Sequence, residues 1–194
     1  KMIYSVIANN SVMFHAVVST FFSGVSGNFL KFFNLNVADN VARSIGGCFF
    51  LASIFCKISF TNSFFERNSL IGTPFLGGSI FLIYGGDREF VIYTKGCKFI
   101  KNFCASRGGT VLVQYGQYHD DSSYFEENFS PFAGTLYFEV TTIASLTNTT
   151  LIGKLNLNTG AIYLTSAANV KVTDSIFKKC AAFSGGGVLT AFGL

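Results

Sequence analysis

The chain has 194 residues, of which 16% are aromatic and only 12% are charged, and its formal net charge is +4. Lys and Arg are scattered singly, which argues against a nucleic-acid groove. Mean hydropathy is high at +0.44. Even so, the longest apolar stretches, around residues 46–56 and 75–86, fall short of the roughly 18 residues that a membrane helix needs. We therefore expect neither a nucleic-acid partner nor a transmembrane segment.

Residues 1–31 carry the weakest pattern, although the segment SGNFL at residues 26–30 resembles a turn of the repeat that follows. We expect residues 1–31 to form a degenerate first coil. The chain begins at Lys1 without an initiator Met, a charged n-region or a small-residue cleavage site. We expect any targeting segment to have been removed or to lie outside this sequence.

From residue 46 onward, a pair of small residues precedes a short apolar run six times, at intervals of 31, 31, 25, 26 and 26 residues. Such a period is typical of solenoids, whose repeats bury their apolar faces by stacking. Runs of four to six residues have the length of strands. The pattern predicts an all-β parallel β-helix of about six to seven coils of 25–31 residues, forming one domain over residues 1–194. The pairs are Gly46-Gly47, Gly77-Gly78, Gly108-Gly109, Ala133-Gly134, Thr159-Gly160 and Gly185-Gly186.

A second motif, Phe-x-x-Asn, precedes the pair in most repeats. We expect the Phe to face the interior and the Asn to close the strand at a bend, pairing with backbone or with the Asn of the next coil. The Gly pair then supplies a positive φ. Matches are Phe65 to Asn68, Phe99 to Asn102, Phe125 to Asn128 and the variant Phe177 to Cys180. The first complete repeat offers Phe33 to Asn36 or Val37 to Asn40, and the fifth offers only Leu155 to Asn158.

The order of Phe-x-x-Asn, Gly-Gly and two apolar residues resembles the repeat of the chlamydial polymorphic outer-membrane proteins and of similar surface proteins of protists. The similarity covers roughly residues 30–194, with three of six Phe-x-x-Asn motifs and four Gly pairs intact. The resemblance implies a right-handed parallel β-helix with a role in cell-surface display, adhesion or fibre formation. It brings no catalytic residue and no cofactor.

The last residues, from Gly187 to Leu194, stop within an apolar strand without a cap. Since a parallel β-helix has unpaired strand edges at its ends, we expect copies of the chain, or adjoining coils of a longer chain, to cover this end. With a coil spacing of about 4.8 Å, six or seven coils would form a rod of roughly 30 Å. We therefore expect a non-enzymatic structural subunit of an extracellular or cell-surface filament.

The alternatives are an adhesin passenger and a carbohydrate-binding or carbohydrate-cleaving module. A cleaving site needs clustered carboxylates, and the chain has only ten acidic residues. The densest group, at His119, Asp120 and Asp121 with Glu126 and Glu127, is interpreted as a solvated loop in a polar insertion between coils. A carbohydrate module would use exposed Tyr115, Tyr118 and Tyr124 as stacking platforms.

Five cysteines, an odd number, leave at least one unpaired: Cys48, Cys56, Cys97, Cys104 and Cys180. Local bridges between Cys48 and Cys56, or between Cys97 and Cys104, stay open. We favour buried small residues at inward positions. With no Cys-x-x-Cys and only His15 and His119, a zinc site is poorly supported.

Three sequons, at Asn9, Asn128 and Asn148, predict acceptors of N-linked glycans in a eukaryotic extracellular protein. Asn148 is the best candidate, followed by Asn9. Asn128 is the weakest, because it belongs to a Phe-x-x-Asn motif and Pro131 lies close behind it.

Overall fold

The structure, a computed structural model, describes residues 5–8, 11–12, 18–22, 28–43, 47–53, 56–72, 80–85, 90–140, 142–165 and 168–192. Every regular element in these ranges is a β-strand. The expectations for Asn9, Gly46, Gly77 and Gly78 fall outside the described residues.

The strands are short, as expected for a chain in which Gly, Asn and Ser interrupt each apolar run. In chain order they are β1 (Ser5–Ala8), β2 (Ser11–Val12), β3 (Val18–Phe22), β4 (Asn28–Phe33), β5 (Leu35–Ala38), β6 (Val41–Ala42), β7 (Phe49–Ser53), β8 (Cys56–Thr61), β9 (Phe64–Glu66), β10 (Ser69–Leu70), β11 (Phe81–Gly85), β12 (Val91–Lys95), β13 (Lys98–Ile100), β14 (Phe103–Cys104), β15 (Val111–Gln114), β16 (Gln117–Asp121), β17 (Tyr124–Glu126), β18 (Leu136–Glu139), β19 (Ile143–Thr147), β20 (Thr150–Ile152), β21 (Leu155–Asn156), β22 (Ile162–Thr165), β23 (Asn169–Thr173), β24 (Ile176–Lys178), β25 (Ala181–Ala182) and β26 (Leu189–Phe192).

Each strand pairs in parallel with its counterpart in an adjacent coil, which makes the molecule a parallel β-solenoid and confirms the predicted class. Sheet A contains β4, β8, β12, β16, β19 and β23, and sheet B contains β1, β5, β9, β13, β17, β20 and β24. Sheet C contains β2, β6, β10 and β14. Sheet D contains β3, β7, β11, β15, β18, β22 and β26, and a small sheet E joins β21 to β25.

Within the described residues, the stack has seven levels in sheets B and D and six in sheet A. Two levels of the stack are incomplete within the described residues. The first has no strand in sheet A, and the level of β16 has only an isolated bridge at Phe129 where sheet C or E runs. The degenerate first coil is present as β1, β2 and β3, but residues 28–33 form a strand of the second coil rather than a turn.

The interior is a column of aromatic and aliphatic side chains. Phe65, Phe99 and Phe125 are fully buried, and their nearly parallel rings lie 4.8 and 4.5 Å apart. Leu151 and half-buried Phe177 continue the column in register. Stacked aromatic pairs contribute about 0.5–1.5 kcal/mol beyond the burial of their area, so this column fixes the alignment of successive coils.

Four buried asparagines form a ladder beside the Phe column. Each side-chain nitrogen of the inner members donates both to the Oδ1 of the next Asn and to a backbone carbonyl of the preceding coil. The side-chain bonds run from Asn40 to Asn68 (2.8 Å), from Asn68 to Asn102 (3.1 Å) and from Asn102 to Asn128 (2.9 Å), and the carbonyl acceptors are those of Val37 for Asn68, Phe65 for Asn102 and Phe99 for Asn128. The spacing of 34 residues between Asn68 and Asn102 exceeds the predicted maximum of 31. The segments between β10 and β11 and between β11 and β12 are both longer than their counterparts in the next coil.

The register resolves two ambiguities of the motif. In the first complete repeat, Val37 pairs with Phe65, so the motif is Val37 to Asn40 and not Phe33 to Asn36. In the fifth, Leu151 pairs with Phe125, so the motif begins at Leu151 and not at Leu155. The positions that follow Asn128 along the ladder are thus Lys154 and Cys180, and the ladder ends because neither is an amide.

The expectation that each small-residue pair supplies a positive φ is correct at Gly108 (66°) and Gly134 (36°) and wrong at the pairs Thr159-Gly160 and Gly185-Gly186. At Gly160, where φ is not positive, glycine is required because a side chain would not fit: a Cβ would lie 1.8 Å from the Gly187 carbonyl oxygen. The recurrent left-handed residues lie at two other corners. Before the ladder they are Asp39, Arg67, Lys101, Glu127 and Lys179, and between sheets A and B they are Asn34, Asn62, Gly96, Ser122, Asn148 and Asp174.

Candidate functional site

The last described turn, β23 to β26, exposes apolar side chains at positions that are interior in the preceding coil. Val172 and Leu189 are 44% and 50% exposed. Their register partners one coil earlier, Leu146 and Ile162, are buried, because this turn covers them. The same turn therefore presents an apolar interior face that a further coil would bury. We call Val172, Leu189 and half-buried Phe177 the end face.

The end face is bordered by strand edges. Among the described residues, β23, β24 and β26 each pair on one side only, and they close sheets A, B and D. At the opposite ends of sheets B and D lie β1 and β3. Unpaired N–H and C=O groups on such edges are templates for another strand.

A groove runs along the outer face of sheet A, across β12, β16 and β19. Strand alternation builds it: Thr94 and Asp120 point inward and are buried, so their backbone forms the floor. Two outward columns form the walls. One contains Tyr93, His119 and Ser145, the other contains Lys95, Asp121 and Thr147, and the volume between them is about 440 Å³.

The first wall is an aromatic pair held in place by polar neighbours. The Tyr93 and His119 rings are stacked with centroids 5.3 Å apart. The His119 Nδ1 lies 2.7 Å from the Ser145 hydroxyl and its Nε2 lies 3.0 Å from the Gln117 amide oxygen. Partial burial lowers the pKa of His119, so the imidazole is neutral at pH 7. The second wall carries an ion pair, with Lys95 Nζ 2.9 Å from an Asp121 carboxylate oxygen.

Beneath the groove, Asp120 lies inside the solenoid in a polar cluster. Its carboxyl accepts hydrogen bonds of 2.5 Å from the hydroxyls of Thr94 and Thr149, and Ser123 also bonds to it. The Tyr118 hydroxyl lies 2.9 Å from the Thr94 hydroxyl. Burial raises the pKa of Asp120 above its ordinary value.

This arrangement corrects two expectations. Residues 117–121 are strand β16 in register with β12 and β19, and not a solvated insertion. Among the three tyrosines proposed as stacking platforms, Tyr118 is fully buried, Tyr124 is half-buried and Tyr115 is exposed at a turn. Sequence reasoning missed Tyr93 and Lys95, although the alternation of VIYTK and QYHDD, 26 residues apart, could have revealed both walls.

The cysteines behave as buried small residues. Cys48, Cys97 and Cys104 are buried and Cys180 is half-buried, and none of these four is in a disulfide, so neither local bridge forms. The Cys56 side chain lies outside the described residues. Burial raises the pKa of Cys97 and Cys104 to about 12, which keeps both as unreactive thiols at neutral pH.

The described sequons differ sharply in accessibility. Asn148 is exposed at a left-handed corner, where its Nδ2 donates to the Ser122 hydroxyl at 3.1 Å. Asn128 is fully buried: its Oδ1 accepts a hydrogen bond from Asn102 and its Nδ2 donates to the carbonyl of Phe99. An oligosaccharide therefore has access to Asn148 and not to Asn128 in the folded chain.

Within the described ranges, no cluster of three or more His, Cys, Asp and Glu side chains is arranged to hold a metal ion. That part of the chain also contains no helix long and apolar enough to cross a membrane. No protein-family model, curated protein or solved structure matches the chain.

Proposed function

We propose that this protein is a non-enzymatic structural subunit of an extracellular or cell-surface filament, assembled by end-to-end stacking of solenoids. The observation that carries the proposal is the end face together with the strand edges around it. The side chains of Val172 and Leu189 are 44% and 50% exposed, and burying them under another coil would be favourable through the hydrophobic effect.

The two ends of the stack are compatible with each other. Because β1 and β24 close the same sheet, a second copy placed head to tail would add its β1 to β24 and its β3 to β26, both in parallel. Such a contact is heterologous, since two different surfaces meet, and it repeats without closing. Adjoining coils of a longer chain would use the same edges.

The proposed location rests on two supports. The repeat resembles that of surface-displayed β-helix proteins, and Asn148 offers an accessible glycan acceptor at an exposed corner. A glycan at this corner would project from the side of the rod. It would leave the end face free for stacking.

The test is the concentration dependence of assembly, followed by sedimentation and negative-stain electron microscopy. The double variant Val172→Glu, Leu189→Glu places two carboxylates on the end face and should abolish polymer. The matched control is Phe183→Glu, which alters a residue 74% exposed in the same turn. Phe183 is in register with outward-facing Leu157, itself 53% exposed, so the control changes the side of the rod only.

Polymer that survives in Phe183→Glu and disappears in the double variant would support the proposal. A wild-type chain that stays monodisperse at every accessible concentration, or polymer that persists in the double variant, would contradict it. Circular dichroism of each variant shows that the solenoid itself is retained.

A further inference from the structure

The groove on sheet A is separate from the surfaces that stacking uses. It lies on the side of the solenoid, on β12, β16 and β19, and not on the edge strands β4 and β23 of the same sheet. Filament assembly would leave it open on every subunit. Its chemistry therefore needs its own explanation.

The groove combines one aromatic wall with one hydrogen-bonding wall. Tyr93 is 38% exposed and its ring stacks on His119, so the ring is already ordered and offers its uncovered apolar surface to a ligand. Ser145 and Thr147 add hydroxyls that both donate and accept.

Charge in the groove is balanced. Lys95 and Asp121 neutralise each other at 2.9 Å, and the His119 imidazole is held between Ser145 and Gln117. A phosphate or a carboxylate would find no unpaired cation among these residues and would meet the Asp121 carboxylate. The walls favour a ligand that is uncharged, has an apolar ring face and carries hydroxyls around its rim.

The direction of the groove adds a second constraint. The groove runs perpendicular to the strands and crosses three of them, which lie about 4.8 Å apart. Equivalent wall positions therefore repeat at that spacing, as Tyr93, His119 and Ser145 do on one side. A chain of linked pyranose rings repeats on a comparable length and has the required ring faces and hydroxyls.

We propose that the groove between Tyr93 with His119 and Lys95 with Asp121 binds a neutral oligosaccharide lengthwise, with one pyranose ring packed against the Tyr93 ring. Thr147 and Ser145 would then bond to ring hydroxyls. The Lys95 and Asp121 pair would offer a donor and an acceptor side by side. This inference does not depend on filament formation.

The experiment is a titration of the isotope-labelled chain carrying Val172→Glu and Leu189→Glu, which keep it unassembled and lie outside the groove, with neutral trisaccharides of glucose, mannose, galactose and N-acetylglucosamine, followed by amide NMR shifts. A trisaccharide of galacturonate serves as the anionic comparator. Binding of at least one neutral sugar, with shifts confined to β12, β16 and β19, is the expected result. No shifts with any neutral sugar, or binding of the galacturonate sugar alone, would overturn the proposal.

Two substitutions distinguish binding in the groove from non-specific binding elsewhere on the surface. Tyr93→Ala should raise the dissociation constant about tenfold or more, because the ligand loses its contact with the Tyr93 ring. Tyr115→Ala is the matched control, because Tyr115 is 39% exposed but lies outside the groove, and it should leave the affinity unchanged. Equal affinities of wild type and a folded Tyr93→Ala, or loss of binding in Tyr115→Ala, would overturn the site. Thr147→Val, which keeps the side-chain shape, provides a second groove variant in case Tyr93→Ala does not fold.

Discussion

Asn102 donates a hydrogen bond of 2.9 Å from its side-chain nitrogen to the Oδ1 of Asn128, and each of these side chains is no more than 1% exposed. The backbone N–H of Asn102 also donates to the same oxygen, at 3.0 Å. The Oδ1 atom of Asn128 thus accepts hydrogen bonds from both the backbone and the side chain of Asn102 in the neighbouring coil. This link, repeated along the ladder, joins the coils at the bend where strand pairing is interrupted.

Replacing Asn102 with Leu should destabilise the solenoid by about 3–5 kcal/mol, because several buried donors and acceptors lose their partners at roughly 1–3 kcal/mol each. The affected groups include the side-chain nitrogen of Asn68 and the carbonyl of Phe65. Urea unfolding measures the loss. The control Asn169→Ala, at an exposed strand position, should cost about 0.5 kcal/mol or less. Comparable losses in both variants would show that the ladder does not stabilise the fold.

Asp120 should make the fold more stable at low pH. Burial raises the pKa of Asp120 in the folded state, so its contribution is fully present below the pKa of the unfolded chain and is lost as pH rises through the folded value. The variant Asp120→Asn should therefore remove part of the pH dependence and be the more stable protein at neutral pH. Thermal unfolding of both proteins from acid to neutral pH measures the difference.

Asp121 provides the control of opposite sign. Hydrogen bonding to Lys95 lowers the pKa of Asp121, so its contribution is present above the unfolded value and disappears as pH falls through the folded one. Because Asp121 is exposed, the effect should be small. If Asp120→Asn and wild type show parallel stability curves, the buried carboxyl is not linked to folding.

Gly160 and Gly96 should respond in opposite ways to a side chain. A Cβ at Gly160 would collide with the backbone of Gly187, so Gly160→Ala should destabilise the last turns by about 2 kcal/mol or more. Gly96 has a φ of 59° in a column that also contains Asn34 and Asn62. Gly96→Asn should change stability by no more than about 1 kcal/mol in either direction. Chemical denaturation of both variants measures this, and equal losses would contradict the assignment of steric and conformational roles.

Expression in a eukaryotic secretory pathway should attach a glycan at Asn148 and none at Asn128. The exposed corner admits the transferase at Asn148, whereas the ladder buries Asn128. Intact mass spectrometry of wild type, Asn148→Gln and Asn128→Gln distinguishes them. The glycan mass assigned to this region should disappear in Asn148→Gln alone. Its loss in Asn128→Gln, with Asn148 unmodified in the wild type, would contradict the exposure argument.

The repeat could be predicted from the sequence because its determinants are local and periodic. The pair Phe65 and Asn68 recurs with the same three-residue separation in the next two coils, because each coil needs an interior Phe just before the bend and an Asn at the bend. The interior position of Asp120 and Tyr118 could not be read in the same way, since a run of polar residues has the composition of a loop. The composition of this run alone does not show which of its residues face inward; its alignment with VIYTK, 26 residues earlier, does, because Ile92 pairs with Tyr118 and Thr94 with Asp120. Glycine was ambiguous for a related reason: it serves both for positive φ, as at Gly108, and for close backbone approach, as at Gly160.

The most direct test of end-to-end stacking is a cryo-electron microscopy reconstruction of the assembled chain. We predict a continuous solenoid in which β26 of one subunit pairs in parallel with β3 of the next, and in which Val172 and Leu189 are buried at the junction. Subunits that associate through their sides, or discrete rods with solvent at the end face, would contradict the account.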